Sequence, residues 1–304
     1  MVVICAYLFR SQIWVAATCS GGTPQAELEG PVTQAWVATF DDPAGDRKDD
    51  NEWATAIRTD SMGNVYVTGG GGTVKYDNAG NLLWIYDTIG SDLAVDAVGS
   101  VYVTGYYGTK KYDNAGNLLW ENAIRGSALA LDTFGDVYVT GYYGTAKYAG
   151  TFLGTNLLWE NDNMGSAIAV DTSGFGRVYV TGFSGTFKYG IAGNLLWKDP
   201  TLGTALALDA SGNLYITVED QGGSSRYTTV KFSKDGERLW TAILNGPAYP
   251  GMGWATALAV DPYGNIYVTG AIQAWGCMSF PPLFWDVGGT YRDYATVKYT
   301  NQVE

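Results

Sequence analysis

The sequence contains no histidine. That absence removes the usual general base, the commonest metal ligand and every Ser-His or Cys-His nucleophile, and with them the common zinc sites. Cysteine is scarce: Cys5, Cys19 and Cys277 form neither a CxxC pair nor a disulfide framework. Basic charge is in deficit. Eighteen Lys and Arg against 30 Asp and Glu give a formal charge of −12, which repels phosphate and makes nucleic acid and anionic lipid surfaces poor partners. No uninterrupted apolar run reaches the ~18 residues needed to span a bilayer. No window carries an apolar 3.6-residue rhythm with caps, so helical repeats are excluded.

What the chain has instead is glycine, 41 residues of it, and aromatic side chains at 14% of 304 positions. Gly-rich turns with β-prone aromatics predict many short strands.

Residues 1–19, MVVICAYLFRSQIWVAATC, are apolar apart from interruptions such as Arg10 and predict an export signal without a basic start. VAATCSGG resembles a bacterial lipoprotein cleavage site, which would make Cys19 the lipidated residue; a plain cleaved leader is the alternative. SGGTPQAELEGP at 20–31 is a polar tether in either case. The expected organisation is therefore leader and tether over 1–31 and one domain over 32–304. Any membrane contact would run only through a lipid on Cys19.

Self-similarity decides the architecture of the rest. VYVTGGGGTVKYDNAGNLLW at 65–84 returns as VYVTGYYGTKKYDNAGNLLW at 101–120. The short phrase around Tyr66, Tyr102, Tyr138, Tyr179, Tyr215 and Tyr267 occurs six times. Upstream of each stands an Ala-rich segment ending at Asp60, Asp96, Asp132, Asp171, Asp209 or Asp261. Downstream come TVKY, TKKY, TAKY, TFKY, TVKF and TVKY, with Lys75, Lys111, Lys147, Lys188, Lys231 and Lys298. A turn and an L-W strand close each unit, at Trp84, Trp120, Trp159, Trp197 and Trp240.

Four β-prone runs per unit, parted by Gly, Asn and Asp, predict a four-stranded antiparallel meander. Such a sheet buries both faces only against copies of itself, which predicts a six-bladed β-propeller. The sixth copy lacks its Trp strand, while VTQAWVATF near the start matches ERLWTAIL, pairing Trp36 with Trp240. Residues 33–40 are therefore expected to complete the last sheet and remove its open edge. The repeated Trp should wedge between neighbouring sheets, the repeated Ala should fit the crowded centre, and each Asp should pair with its Lys or cap its turn. A ring of carboxylates holding a cation is disfavoured by the matching lysines.

WATALAVDPYGNIYVTG at 254–270 and DYATVKY at 293–299 resemble the SBBP family of bacterial β-propeller repeats. The resemblance covers residues 33–304 and implies an exported or surface protein of a family often without assigned chemistry. AVDPYGNIYVTG is also similar to NHL repeats, and KYDNAGNLLW is similar to the Trp-docking repeat of quinoprotein dehydrogenases. The charge, the missing histidine and the missing Cys-Cys pair speak against the chemistry of both.

Variation between copies is where specific function should sit. The connections between the second and third strands read GGGGT, GYYGT, GYYGT and GFSGT, then VEDQGGSSRYTT, then a long insert over 270–296. They place Tyr106, Tyr107, Tyr142, Tyr143, Phe183, Trp275 and Trp285 on one face, as ligand-binding candidates or as covers for neighbouring hairpins. FDDPAGDRKDDNE at 40–52 lacks the spacing of a calcium loop, and GGGG at 69–72 precedes no helix, so neither a metal nor a phosphate site is expected. No cofactor is expected. The expected function is an exported, non-enzymatic module that binds a protein or glycan, or acts as a scaffold, at the cell envelope or in the extracellular matrix. A carboxylate-dependent lyase or glycosidase at the channel mouth and a structural subunit of a surface array are the alternatives. The sequence leaves the oligomeric state open.

Overall fold

The computed structural model describes residues 54–150, 156–171, 176–219, 226–245, 253–261, 263–275 and 290–299. They form six antiparallel sheets, each a meander in chain order. Sheet one holds β1 (Ala54–Thr59), β2 (Val65–Gly69), β3 (Gly72–Tyr76) and β4 (Leu82–Tyr86). Sheet two holds β5 (Asp92–Val95), β6 (Val101–Gly105), β7 (Gly108–Tyr112) and β8 (Leu118–Asn122). Sheet three holds β9 (Ala128–Leu131), β10 (Val137–Gly141), β11 (Gly144–Tyr148) and β12 (Leu157–Asn161). Sheet four holds β13 (Ala167–Asp171), β14 (Arg177–Gly182), β15 (Gly185–Tyr189) and β16 (Leu195–Asp199). Sheet five holds β17 (Gly203–Leu208), β18 (Leu214–Glu219), β19 (Arg226–Phe232) and β20 (Arg238–Asn245). Sheet six has three described strands, β21 (Gly253–Val260), β22 (Ile266–Trp275) and β23 (Thr290–Tyr299). The expected fourth strand over 33–40, with Trp36, lies outside the described residues, as do Cys19 and the leader.

The four-strand reading of the unit therefore holds for five sheets. The insert of the sixth copy departs from a plain loop. Its two ends extend β22 and β23 into a long ribbon paired from Ile266↔Tyr299 to Trp275↔Thr290. The reason is local: AIQAW and TYRDYATV alternate β-prone and polar residues.

Alternation along V-Y-V-T sends the valines to one face of a sheet and the tyrosine to the other. Consecutive sheets stack so that the tyrosine of one meets the valines of the next. Tyr66 packs with Val101 and Val103, Tyr102 with Val137 and Val139, and Tyr138 with Val178 and Val180. Tyr179 packs with Leu214 and Ile216, and Tyr215 with Ile266 and Val268. The first strands of successive sheets adjoin, from β1 beside β5 through β17 beside β21. Alanine there leaves room for that approach.

The repeated Asp organises its own turn. Asp60 Oδ1 accepts from Met62 N and Asn64 N, each at 2.9 Å, and Oδ2 accepts from Asn64 Nδ2 at 2.7 Å and Tyr66 Oη at 2.9 Å. One carboxylate thus shapes the turn and satisfies the buried phenol. Burial pushes the Asp60 carboxyl up, but these bonds outweigh it and hold it below the usual range. Asp96, Asp132, Asp209 and Asp261 repeat the arrangement on Tyr102, Tyr138, Tyr215 and Tyr267. In sheet four, where DTSGFGR lengthens the turn, Tyr179 Oη donates instead to Gly212 O at 3.4 Å.

The expected Asp–Lys pair is only part of the lysine's surroundings. Lys147 lies 3.4 Å from Asp132 and 2.9 Å from Asp136, and Lys111 3.9 Å from Asp96. What recurs in all six sheets is the ammonium over the tyrosine face, at 4.6 Å from the ring centroid for Lys111 and 5.3 Å for Lys298. Several of these side chains also reach into the following sheet. Lys75 Nζ donates to Asn114 O at 3.1 Å, Lys188 Nζ to Lys234 O, and Trp159 Nε1 to Ile191 O at 3.0 Å. All three acceptors are the second residue of the turn between the third and fourth strands of the next sheet. The tryptophans lie between sheets as expected: Trp159 is 6.0 Å from Tyr138 in its own sheet and 5.9 Å from Tyr189 in the next. Among the five described, Trp120 alone is buried and the others are half-buried.

In sheets one to four a threonine pair fastens the linker to the next sheet. Thr104 Oγ1 and Thr109 Oγ1 share a hydrogen bond of 2.8 Å, and Thr109 Oγ1 is also 2.8 Å from Ile124 O. Thr68 with Thr73, Thr140 with Thr145 and Thr181 with Thr186 do the same. A linker glycine rests on each pair. A Cβ on Gly126 would lie 2.5 Å from Thr104 Oγ1 and 2.4 Å from Val139 Cγ1. Gly126→Ala should therefore cost about 1–3 kcal/mol by overpacking, read as a lower urea midpoint at unchanged slope. An unchanged midpoint would mean that the seam is loose.

Candidate functional site

The second and third strands of sheets one to four are joined by two-residue turns, with pairs such as Gly105↔Gly108 and Gly141↔Gly144 holding the hairpin ends. Gly108 and Gly144 have φ of 123° and 116°, a region L side chains avoid. A Cβ on either would also strike the Asn122 or Asn161 carbonyl of the fourth strand. The chain is thus committed to tight, rigid hairpins, and their two tip residues have nowhere to go but outward.

In sheets two, three and four those tips include Tyr106, Tyr107, Tyr142, Tyr143 and Phe183, which are between 67% and 73% exposed. Tyr106 and Tyr107 meet edge to face at 5.3 Å, and Tyr142 and Tyr143 at 5.5 Å. Phe183 occupies the next hairpin, whose Ser184 is bonded to Met164 of the linker below. Only the backbone of Trp275 is described, as the last residue of β22, and Trp285 lies outside the described residues.

The structure joins two of these tyrosines through a residue that sequence reasoning missed. Arg125, in the linker after β8, sets its guanidinium carbon 4.7 Å from the Tyr106 ring centroid and 6.0 Å from that of Tyr143. It bridges the hairpins of sheets two and three. The available signal was a lone cation in a linker, ENAIRGSA, where the preceding linker reads YDTIGSD.

Beneath this bridge lies a cleft of about 550 Å³. Ala123, Ile124 and Arg125 line one side; Tyr143, Ala146, Tyr148, Glu160 and Asp162 are among the residues of the other. Burial, and then the Glu160 charge, push the Tyr148 phenol up, so it remains a neutral hydrogen-bonding group. The cleft therefore combines aromatic faces, one guanidinium and two carboxylates. Among the described residues no group of His, Cys, Asp and Glu could hold a metal ion, and no helix is long and apolar enough to cross a membrane.

No protein-family profile matches the chain, and no curated protein sequence does. Solved structures do. The extracellular domain of a protein described as a hybrid two-component system from Bacteroides thetaiotaomicron is 15% identical, with a TM-score of 0.54 over 74% of this chain and 33% of that one. The extracellular domain of a protein described as a one-component system from the same organism is 11% identical, with a TM-score of 0.53 over 73% of this chain and 34% of that one. The chain spans about a third of the length of these structures. At such identity the likeness is one of fold, an array of repeated antiparallel sheets.

Proposed function

We propose that the chain is an exported, non-enzymatic binding module, a six-bladed β-propeller of the SBBP type, that holds a protein or glycan on its hairpin face. The observation that carries this reading is the set of five exposed rings on rigid two-residue turns of three consecutive sheets. A large exposed aromatic costs solubility, whereas on a preorganised scaffold it supplies contact area at little entropic cost. The extracellular placement of the similar Bacteroides domains supports export.

The test is a glycan array and an envelope-protein pull-down with the wild type and a variant carrying Tyr106→Ala, Tyr107→Ala, Tyr142→Ala and Tyr143→Ala. Hot-spot aromatics contribute more than ~1 kcal/mol each, so the variant should bind at least about a hundredfold more weakly at an unchanged melting temperature. Equal binding by both proteins would remove this face as the site. A carboxylate-dependent glycosidase is the second reading, because Glu160 and Asp162 share the cleft. Polysaccharide hydrolysis that disappears in Glu160→Gln would put it first.

A further inference from the structure

We propose that the cleft between sheets two and three is a socket for the side chain of a lysine on a partner polypeptide. This deepens the reading of the hairpin face and rests on it. The argument comes from one variable position of the repeat. The residue before the conserved lysine stands directly across from a residue of the fourth strand in each of the first five sheets. The pairs are Val74↔Ile85, Lys110↔Glu121, Ala146↔Glu160, Phe187↔Lys198 and Val230↔Thr241. In sheet four Phe187 fills the seam with sheet three, in sheet five Val230 fills the seam with sheet four, and Val74 of sheet one is buried.

Sheets two and three carry the same carboxylate and differ in what faces it. In sheet two, Lys110 lays its alkyl chain across the strand and brings its ammonium 3.5 Å from Glu121. In sheet three the facing residue is Ala146, which is buried, so the volume of that chain is vacant and becomes the floor of the cleft. Among the described residues no cation pairs with Glu160. The molecule thus displays in sheet two the group that sheet three lacks: a straight alkyl chain ending in a primary ammonium.

The rest of the cleft suits the same guest. Tyr143 and Tyr148 are among its lining residues, and an aromatic ring attracts an alkyl-ammonium group. Asp162 adds a second carboxylate, and the chain's overall charge of −12 attracts a basic partner. Arg125 stands at the mouth over its two tyrosines; a guanidinium only donates, so it suits the peptide carbonyls flanking the lysine.

The experiment titrates the full chain with a blocked pentapeptide bearing one central lysine between glycines. The same peptide with ε-acetyl-lysine and a glucosamine oligomer complete the comparison. The unmodified peptide should bind and the acetylated one should not. Ala146→Lys, which rebuilds the sheet-two pair inside the protein, and Glu160→Gln should each weaken binding at least about tenfold, with the melting temperature retained. Equal binding of the acetylated peptide, preference for the glucosamine oligomer, or indifference to both substitutions would overturn the socket. If ligands recovered on the hairpin face depend on the four tyrosines but not on Glu160, the socket falls and the hairpin reading stands. If they depend on neither, both fall.

Discussion

Raised above pH ~10, the protein should unfold cooperatively within one to two pH units. Tyr66, Tyr102, Tyr138, Tyr179, Tyr189 and Tyr215 are buried to 2% exposure or less. Burial is the leading cause that pushes their phenols up, to about 12 for Tyr179 and Tyr189 and higher for the other four. The fold therefore keeps protons that the unfolded chain releases above ~10, and rising pH favours the unfolded state. Each phenol contributes about 1.4 kcal/mol per pH unit between its unfolded and folded values.

Lys75, Lys111 and Lys188 act in the opposite sense. Burial pushes them down, so the folded state loses their protons first and rising pH favours folding between the two values. The lysine effect ends near 10.5, their ordinary value, so above it the six phenols leave a loss of up to roughly 8 kcal/mol per unit, against a typical domain stability of ~5–15 kcal/mol. Circular dichroism and tyrosinate absorbance should change together. Normal titration of these tyrosines in a chain that stays folded would contradict their burial.

Asp132→Ala should be the most damaging single carboxylate substitution in the repeat, costing about 3–5 kcal/mol. Asp132 accepts from Phe134 N, Asp136 N and Tyr138 Oη at 2.9–3.0 Å. It also lies 3.4 Å from Lys147, and both side chains are 3% exposed. Its removal leaves a phenol without its acceptor and a buried ammonium with Asp136 alone. Asp96→Ala removes the equivalent group where Tyr102 is 3.3 Å away, Lys111 is 3.9 Å away and both charges are wetter, so about 1–2 kcal/mol is expected. Urea unfolding of the two variants measures the difference. Equal losses would mean that the charge contact contributes nothing beyond the turn.

The unit and its strands were legible because every copy repeats the same alternation and the same turn residues. Asp60 and its equivalents announce their turns, since an Asp with Gly three residues on is a local device. The seam was harder to read. Lys75 meets Asn114 and Trp159 meets Ile191 across more than thirty residues, and nothing local to either residue names its partner. The lysine–tyrosine contact was hidden for a related reason: the two residues face one another across a hairpin, where spacing suggests a carboxylate just as readily. The exposed tyrosines could be read from GYYGT. The cleft could not, because it depends on Ala146, a small residue whose effect is the volume it leaves, and on Arg125, which has no counterpart in the other described linkers and so belongs to no pattern.

The reach of Lys75, Trp159 and Lys188 into the following turn always runs the same way along the chain. Each of these units therefore has a head and a tail. A tandem duplication of one period would insert a piece that runs in the same direction as both neighbours. Copy number is then the quantity most easily altered in such a gene, and the near-identity of 65–84 and 101–120 is the kind of trace that doubling leaves.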